Sequence, residues 1–245
     1  MNHAARNTKG FTLVELLLSM SFIAVLLLAI AMTIVQIGTT YNRGITLKEI
    51  NQTGRALSED IRYNVTASQG FSSDTNSFLP VSVGGNDIGG RLCLGSFSYV
   101  WNYGRGALSA ERVTFETAPA NSNGEVYFVK VSDPGKIYCA TQEDNGQPEH
   151  RRIRSVDTNV AQELLRKGDR ELALHDFSVV SNDGAVDETT GQRLLEVSFT
   201  IGAGDLSSMD ELQEKCLPPG NPDADIAYCA LQEFTLVIRA GNRVN

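Results

Sequence analysis

The residue in the most unusual chemical setting is Glu15, a carboxylate directly before an uncharged run of 20 residues, 16–35. At about 1.5 Å per residue, a helix of this length spans about 30 Å, the thickness of a bilayer's hydrocarbon core. An acidic side chain costs roughly 2.5–3.5 kcal/mol at the centre of a membrane helix. A cost of that size indicates a partner for the Glu15 carboxylate, and the nature of that partner is the main guide to function.

No other residues are spaced for a recognisable reaction. The three histidines, His3, His150 and His175, stand in no metal-binding or triad pattern, and G-x-S-x-G, H-E-x-x-H, Walker and Rossmann patterns are absent. Acidic loops at 143–146 and 223–225 could bind Ca²⁺ through carboxylate oxygens, but neither has EF-hand spacing, and solvated turns are the alternative. We therefore expect a non-enzymatic chain with no cofactor other than a possible Ca²⁺.

Composition narrows the class of partner. The net charge of −8 and a pI of about 4.9 argue against nucleic-acid binding, because phosphate contacts need clustered Lys and Arg. A hydrophobic content of 42% and a mean hydropathy of −0.14 fit a globular body with one apolar anchor. The sequence contains no second long apolar run, which excludes a multi-span transporter.

The segment before the apolar run carries Arg6 and Lys9 and no acid, so we expect this end to face the cytoplasm. A secretory signal peptide also starts with positive charge, but its small-residue cleavage site follows its apolar core. Here the small residue, Gly10, comes before the apolar run. This inverted order is the specific feature of the N-terminal region.

The sequence Gly10-Phe11-Thr12-Leu13-Val14-Glu15-Leu16 resembles the class III signal of type IV pilins and type II secretion pseudopilins. The resemblance covers about the first 60 residues; beyond them only the order of elements is similar. It implies a leader at residues 1–10, a membrane aspartyl prepilin peptidase that cuts after Gly10, and N-methylation of Phe11. It also implies that Glu15, at the fifth mature position, acts in assembly.

Cleavage after Gly10 would create an α-amino group on Phe11, with an ordinary pKa of about 7.7–8.0, four residues from Glu15. Breaking a buried pair of opposite charges costs roughly 3–5 kcal/mol, because one charge is then left uncompensated. Our hypothesis is that Glu15 neutralises the Phe11 amine of a neighbouring subunit during assembly and so sets the register between subunits.

A long helix is expected over residues 11–67, with 11–37 as its transmembrane or filament-core part. Beyond the apolar run, an apolar stripe at spacings of seven, four and four predicts packing under a globular head; its residues are Ile50, Leu57, Ile61 and Val65. Gly38, Gly44 and Gly54 lower helix propensity by about 1 kcal/mol each. They either permit bending or local melting, or are tolerated on a polar face.

Residues 68–245 are expected to form an extracytoplasmic head rich in antiparallel strands, which makes the fold class α+β and pilin-like. Strands are predicted at 78–83, 91–94, 97–101, 125–131, 137–139, 172–180, 194–201 and 234–239. We also expect a short helix at 158–167 and a turn at 182–184. The aromatic residues of 97–103 alternate at period two, which favours core or subunit packing; a carbohydrate- or ligand-facing strip is the alternative.

The four cysteines, Cys93, Cys139, Cys216 and Cys229, all follow the apolar run, as expected for an oxidising exterior. Four cysteines allow three connectivities. We favour Cys93–Cys139 and Cys216–Cys229 because each closes within one region of the chain; free buried thiols are the alternative. A disulfide around the proline-rich loop 216–229 would resemble the C-terminal loop of many pilins.

Together these features predict a structural subunit of a type IV pilus, more exactly a minor pilin, because the head is large for a shaft subunit. A type II secretion or competence pseudopilin is the alternative within the class, and a signal-anchored ligand-binding protein is one outside it. The implied partners are other pilin subunits, the prepilin peptidase, the membrane assembly platform and, before assembly, membrane lipid. The implied location is the inner or cytoplasmic membrane for the single-pass precursor, then an extracellular or periplasmic filament.

Overall fold

The structure is a computed structural model. It describes residues 10–68, 77–104, 109–117, 124–135, 137–139, 141–144, 147–150, 155–165, 171–186, 192–203, 206–210 and 215–240. The chain divides into two units, residues 1–42 and 43–245.

A single helix, α1, extends over 55 residues, Leu13–Ala67. Its first half is rich in Leu, Ile, Ala and Met, which favour helix, and it contains no proline. The long helix expected at 11–67 is confirmed, although it begins two residues later, at Leu13. It is continuous through Gly38, Gly44 and Gly54.

The second half of α1 packs on the sheets of the same unit through the predicted stripe. Ile50, Leu57, Ile61 and Val65 are all buried. Gly54 lies on this stripe, and a Cβ at that position would overlap the ring of Phe234. Gly54 is therefore a close-packing residue, neither a bend nor a glycine on a polar face.

The described part of the second unit contains twelve strands, most of them antiparallel. Their bounds are β1 Phe78–Val83, β2 Asn86–Cys93, β3 Phe97–Asn102, β4 Thr114–Phe115, β5 Phe128–Ser132, β6 Thr141–Asp144, β7 Gln147–His150, β8 Ser155–Val156, β9 Ala161–Glu163, β10 Leu172–Val186, β11 Arg193–Ala203 and β12 Leu231–Ala240. Two 3₁₀ turns, Ile137–Cys139 and Leu206–Ser208, lie between strands.

Two sheets account for most of these strands. Strands β1-β2-β3-β5-β9 form one antiparallel sheet in that order, and β10-β11-β12 form a second. Strands β6 and β7 form a hairpin, whereas β4 and β8 pair in parallel over two residues. A long helix packed on antiparallel sheets confirms the expected α+β class.

One hydrophobic core joins the second half of α1 to both sheets. At its centre the ring centroids of Trp101 and Phe177 lie 4.5 Å apart, and Phe128 and Phe199 lie 5.8 and 6.2 Å from Phe177. Each aromatic pair of this kind adds about 0.5–1.5 kcal/mol beyond the area it buries. This aromatic cluster holds the two sheets together and belongs to the core on which the second half of α1 packs.

The helix expected at 158–167 is wrong over its described part. Residues 158–160 form a turn, β9 follows, and Glu163 pairs with Val129 on β5. The Glu163 carboxylate accepts hydrogen bonds from the backbone N–H groups of Tyr127 and Phe128, at 3.0 and 2.8 Å. Satisfying these distant donors outweighs the weak local preference for helix.

Two further expectations are corrected. Residues 137–139 form a 3₁₀ turn rather than a strand, because the Asp133 carboxylate accepts from the N–H groups of Ile137 and Tyr138, at 2.7 and 3.3 Å. The turn expected at 182–184 lies inside β10, whose pairing with β11 resumes at Val186 after an irregularity. The predicted strand at 78–83 coincides with β1, and 234–239 lies within the longer β12.

Candidate assembly site

Glu15 lies in the first turn of α1, where it forms a capping box with Thr12. The N–H and the hydroxyl of Thr12 both donate to Glu15 Oε2, at 3.0 and 2.9 Å, and the N–H of Glu15 donates to Thr12 Oγ1 at 3.2 Å. Two backbone donors that would otherwise lack a partner at the helix start are thus satisfied. Thr12 is the site residue that sequence reasoning missed, and the T-x-x-E pattern before an apolar run would have revealed it.

The predicted processing residues, Gly10 and Phe11, lie immediately outside the helix. Both precede its first residue, Leu13, and both are exposed, with Phe11 79% accessible. The peptide bond between them is therefore neither wound into α1 nor covered by the described residues. The predicted leader residues 1–9 lie outside the part of the chain that the structure describes.

The surface that follows Glu15 is apolar. Every residue from 16 to 35 is exposed, and the most apolar 18-residue window of α1 has a mean hydropathy of 2.6 with none of it buried. By length and composition this segment suffices to cross a membrane once. One such apolar span, near the N-terminus, occurs among the described residues, which fits the transmembrane part of the expectation.

The hydroxyl groups of this segment are bonded within the helix itself. Ser19, Ser21 and Thr33 donate to the carbonyl oxygens of Leu16, Leu18 and Ile30, at 2.9, 2.9 and 2.7 Å. Backbone bonding of this type removes the cost of placing a hydroxyl in apolar surroundings. The segment from 16 to 35 therefore exposes no polar side chain that needs an outside partner.

Within the second unit, a polar network ties α1 to the five-stranded sheet. The Tyr99 hydroxyl donates to Asp60 Oδ2 at 2.6 Å, and the Asn64 amide donates to Tyr99 Oη at 2.8 Å. Lys130 lies 3.0 Å from Asp60 Oδ1, with its Nζ 4.8 Å from the centroid of the Phe97 ring. Burial, and then the hydrogen bond to the Asp60 carboxylate, raise the pKa of Tyr99.

The cysteines agree with the expected pairing as far as they are described. Cys216 and Cys229 form a disulfide, which closes the predicted C-terminal loop. Cys93 is also disulfide-bonded. The side chain of its expected partner, Cys139, lies outside the described residues.

Of the two acidic loops considered for Ca²⁺, only that at 223–225 has described side chains. There Asp225 Oδ1 accepts from the N–H groups of Ala227 and Tyr228, at 3.1 and 3.3 Å, so this carboxylate braces the loop. No group of three or more His, Cys, Asp or Glu residues suited to a metal occurs among the residues that the structure describes.

The aromatic residues and the histidine that were also considered as functional candidates have structural roles where the structure describes them. Tyr99, Trp101 and Tyr103 are buried, so the core interpretation of the alternating aromatic residues is confirmed for these three. His175 is buried at the irregularity between β10 and β11, with Nε2 3.2 Å from the carbonyl oxygen of Ala203. The side chains of His3 and His150 lie outside the described part of the chain.

Comparison of the chain with models of known families, with curated proteins and with solved structures gave no match in any of the three.

Proposed function

We propose that the chain is a structural, non-enzymatic subunit of a type IV pilus or related filament, and within that class a minor pilin. The observation that carries the proposal is the start of α1. An exposed apolar helix half begins three residues after Gly10, with an acid, Glu15, in its first turn. The sequence Gly10 to Leu16 resembles the prepilin signal, and this geometry supports the roles that the resemblance implies.

Processing is the first step of the proposal. A peptidase needs an accessible bond outside regular helix, and the bond between Gly10 and Phe11 meets both conditions. Hydrolysis there releases residues 1–10 with Arg6 and Lys9, and leaves a new amine on Phe11. Methylation of that amine keeps its positive charge, which remains available to a carboxylate.

Assembly is the second step. Lipid chains and a neighbouring helix are similarly apolar, so transfer of the exposed segment 16–35 from one to the other costs little. The charges need a specific partner, and we assign Glu15 to the Phe11 amine of the adjacent subunit. The other partners in the proposal are the membrane assembly platform and further pilin subunits.

The size of the head favours a minor subunit over a shaft subunit. Residues 68–245 number 178 and include two sheets, a hairpin and a disulfide-closed loop at 216–229. In the proposed filament this head supplies the outer surface and any adhesive contacts.

Intact mass spectrometry of the membrane-extracted protein tests the proposal directly. We expect a mature chain that begins at Phe11 and is heavier by one methyl group, and we expect it in filaments sheared from the cell surface. A Gly10→Leu variant is the matched control and should keep its leader. A wild-type chain that retains residues 1–10 contradicts the proposal. Mature protein that stays with the envelope after shearing indicates a secretion or competence pseudopilus instead.

A further inference from the structure

The outward face of α1 in the second unit carries three cations, Lys48, Arg55 and Arg62, all exposed. They are spaced by seven residues, which is about two helical turns, so one cation recurs about every 10.5 Å along one line. Within the described part of the chain none of the three makes an ion pair. We call these three residues the basic stripe.

A groove of about 410 Å³ runs along the flank of the same helix. Its polar lining comes from Glu49, Gln52 and Asp60 on α1 and from Gln162 on β9, and its apolar lining includes Leu57 and Leu172. We call it the acidic groove.

Among the residues that the structure describes, one carboxylate of the acidic groove has no ion-pair partner. Asp60 already pairs with Lys130 at 3.0 Å and accepts from Tyr99 at 2.6 Å. Glu49, in contrast, has one oxygen, Oε2, that is buried and has no hydrogen-bond partner in the described part of the chain. An unsatisfied carboxylate oxygen at a buried position destabilises the folded chain, and a cationic donor placed in the groove would relieve that cost.

The two features occupy different sides of one helix. At about 100° per residue, the basic stripe lies about 140° from the buried stripe of α1, and the acidic groove lies about 90° from it on the other side. The basic stripe of one copy can therefore face the acidic groove of a second copy, so each copy uses two different surfaces. Contacts of this head-to-tail kind add copies without closing a dimer, as an open filament requires.

The chemistry of the pair is also complementary. An arginine carries five N–H donors in a planar fork, which suits a carboxylate flanked by amide oxygens. Glu49, Gln52 and Gln162 provide that set of acceptors.

We infer that the acidic groove of one copy binds the basic stripe of a second copy of this chain, with Glu49 as the acceptor of a cationic side chain. The inference rests on the proposed function as a filament subunit, and it names the surfaces by which two adjacent copies of this chain recognise each other. Anionic lipid or another acidic ligand on the basic stripe is the competing occupant, and such binding would not depend on Glu49.

Zero-length cross-linking of full-length protein in membranes tests the contact. Arg55→Lys with Arg62→Lys keeps the charges and gives all three stripe positions an amine that carbodiimide can join to a carboxylate. Mixing ¹⁴N- and ¹⁵N-labelled copies identifies links between chains. We expect peptides that join Glu49 to residue 48, 55 or 62 of the other copy, at a yield at least about tenfold above peptides that join Glu196, an exposed acid of β11 outside the groove, to the same positions. Glu196→Gln is the matched control variant and should leave the Glu49 links unchanged.

Charge reversal supplies a second readout. Glu49→Lys should lower the filament yield at least about tenfold, and adding Lys48→Glu, Arg55→Glu and Arg62→Glu to it should restore most of that yield. Absence of links at Glu49, or links from Glu196 to the stripe positions at a comparable yield, overturns the inference. If filaments form but contain no Glu49 links, the inference fails and the proposed function is unaffected. If the leader is retained and no filaments form, the proposed function itself is contradicted.

Discussion

The ring of Phe234 on β12 fills the space that a side chain at Gly54 of α1 would need. Phe234 in turn stacks on Phe199, with ring centroids 5.3 Å apart. The Phe234 ring therefore packs against the core on its other face. The closest approach of helix and sheet at this point therefore depends on the missing Cβ of Gly54.

In Gly54→Ala the added methyl forces the Phe234 ring or the helix to move, at a cost of about 1–3 kcal/mol in unfolding free energy. The substitution also gains about 1 kcal/mol in helix propensity, so the net loss of unfolding free energy should be up to about 2 kcal/mol. Gly44→Ala is the matched control, since a Cβ there meets nothing within 4 Å, and it should stabilise the helix. Urea unfolding of detergent-solubilised protein, followed by circular dichroism, measures both. Equal effects of the two substitutions would show that the Phe234 ring moves aside at no cost in free energy.

The polar network around Asp60 makes a separate prediction. Tyr99→Phe removes the donor to Asp60 Oδ2 and the acceptor of the Asn64 amide, and should cost about 1–3 kcal/mol of unfolding free energy. Tyr63→Phe should have almost no effect, because Tyr63 is 74% exposed. The same unfolding measurement compares them. A Tyr99→Phe chain as stable as wild type would mean that water replaces the network at no cost.

Buried tyrosines make the fold sensitive to alkali. Burial raises the pKa of Tyr103 from 10.0 to about 12 and raises that of Tyr99 as well. Below pH 10 both states keep these protons, so tyrosine ionisation leaves the free energy of unfolding unchanged. Between pH 10 and 12 only the unfolded chain loses the Tyr103 proton, so stability falls with rising pH, by about 1.4 kcal/mol per unit for each such group.

An ultraviolet titration of phenolate absorbance checks this directly. Of the seven tyrosines, Tyr99, Tyr103 and Tyr138 should ionise above pH 10 as long as the chain stays folded, because the pKa of each is raised. Tyr103→Phe should make the fall in stability above pH 10 less steep. Ionisation of all seven in one step near pH 10 with the fold intact would contradict the prediction.

Glu15 has two separable properties, its hydrogen bonds to Thr12 and its charge. Glu15→Gln removes the charge but keeps a side chain that can complete a capping box, whereas Glu15→Ala removes both. If the charge neutralises a Phe11 amine, both variants should enter filaments poorly, and Thr12→Ser should behave as wild type. Quantifying each variant in sheared filaments, relative to its amount in the membrane, provides the measurement. Normal entry of Glu15→Gln would assign capping, not charge, as the role of Glu15.

Features set by local pattern were predictable from the sequence. The apolar run, the stripe at Ile50, Leu57, Ile61 and Val65, and the strand at 78–83 follow from spacings within a few residues. Each of these is confirmed by the structure. The capping box at Thr12 is equally local, and its pattern was present in the sequence.

Features set by distant partners were not predictable. Residues 158–167 have a helical pattern, yet Glu163 serves backbone donors at Tyr127 and Phe128. The role of Gly54 depends on Phe234, and no local pattern links the two positions. The acidic groove likewise combines α1 with Gln162 of β9, which belonged to the helix that sequence reasoning placed there. In each example, contacts between residues far apart in the sequence determined the local structure.

The hydroxyls of Ser19, Ser21 and Thr33, which bond within the helix, affect the specificity with which α1 associates with its neighbours. A helix surface with no free donor or acceptor accepts any apolar neighbour on nearly equal terms, whether lipid or protein. Discrimination between correct and incorrect neighbours must then come from residues outside 16–35. Substitutions within that segment that keep its size and apolar character should therefore be tolerated far better than changes at its flanks.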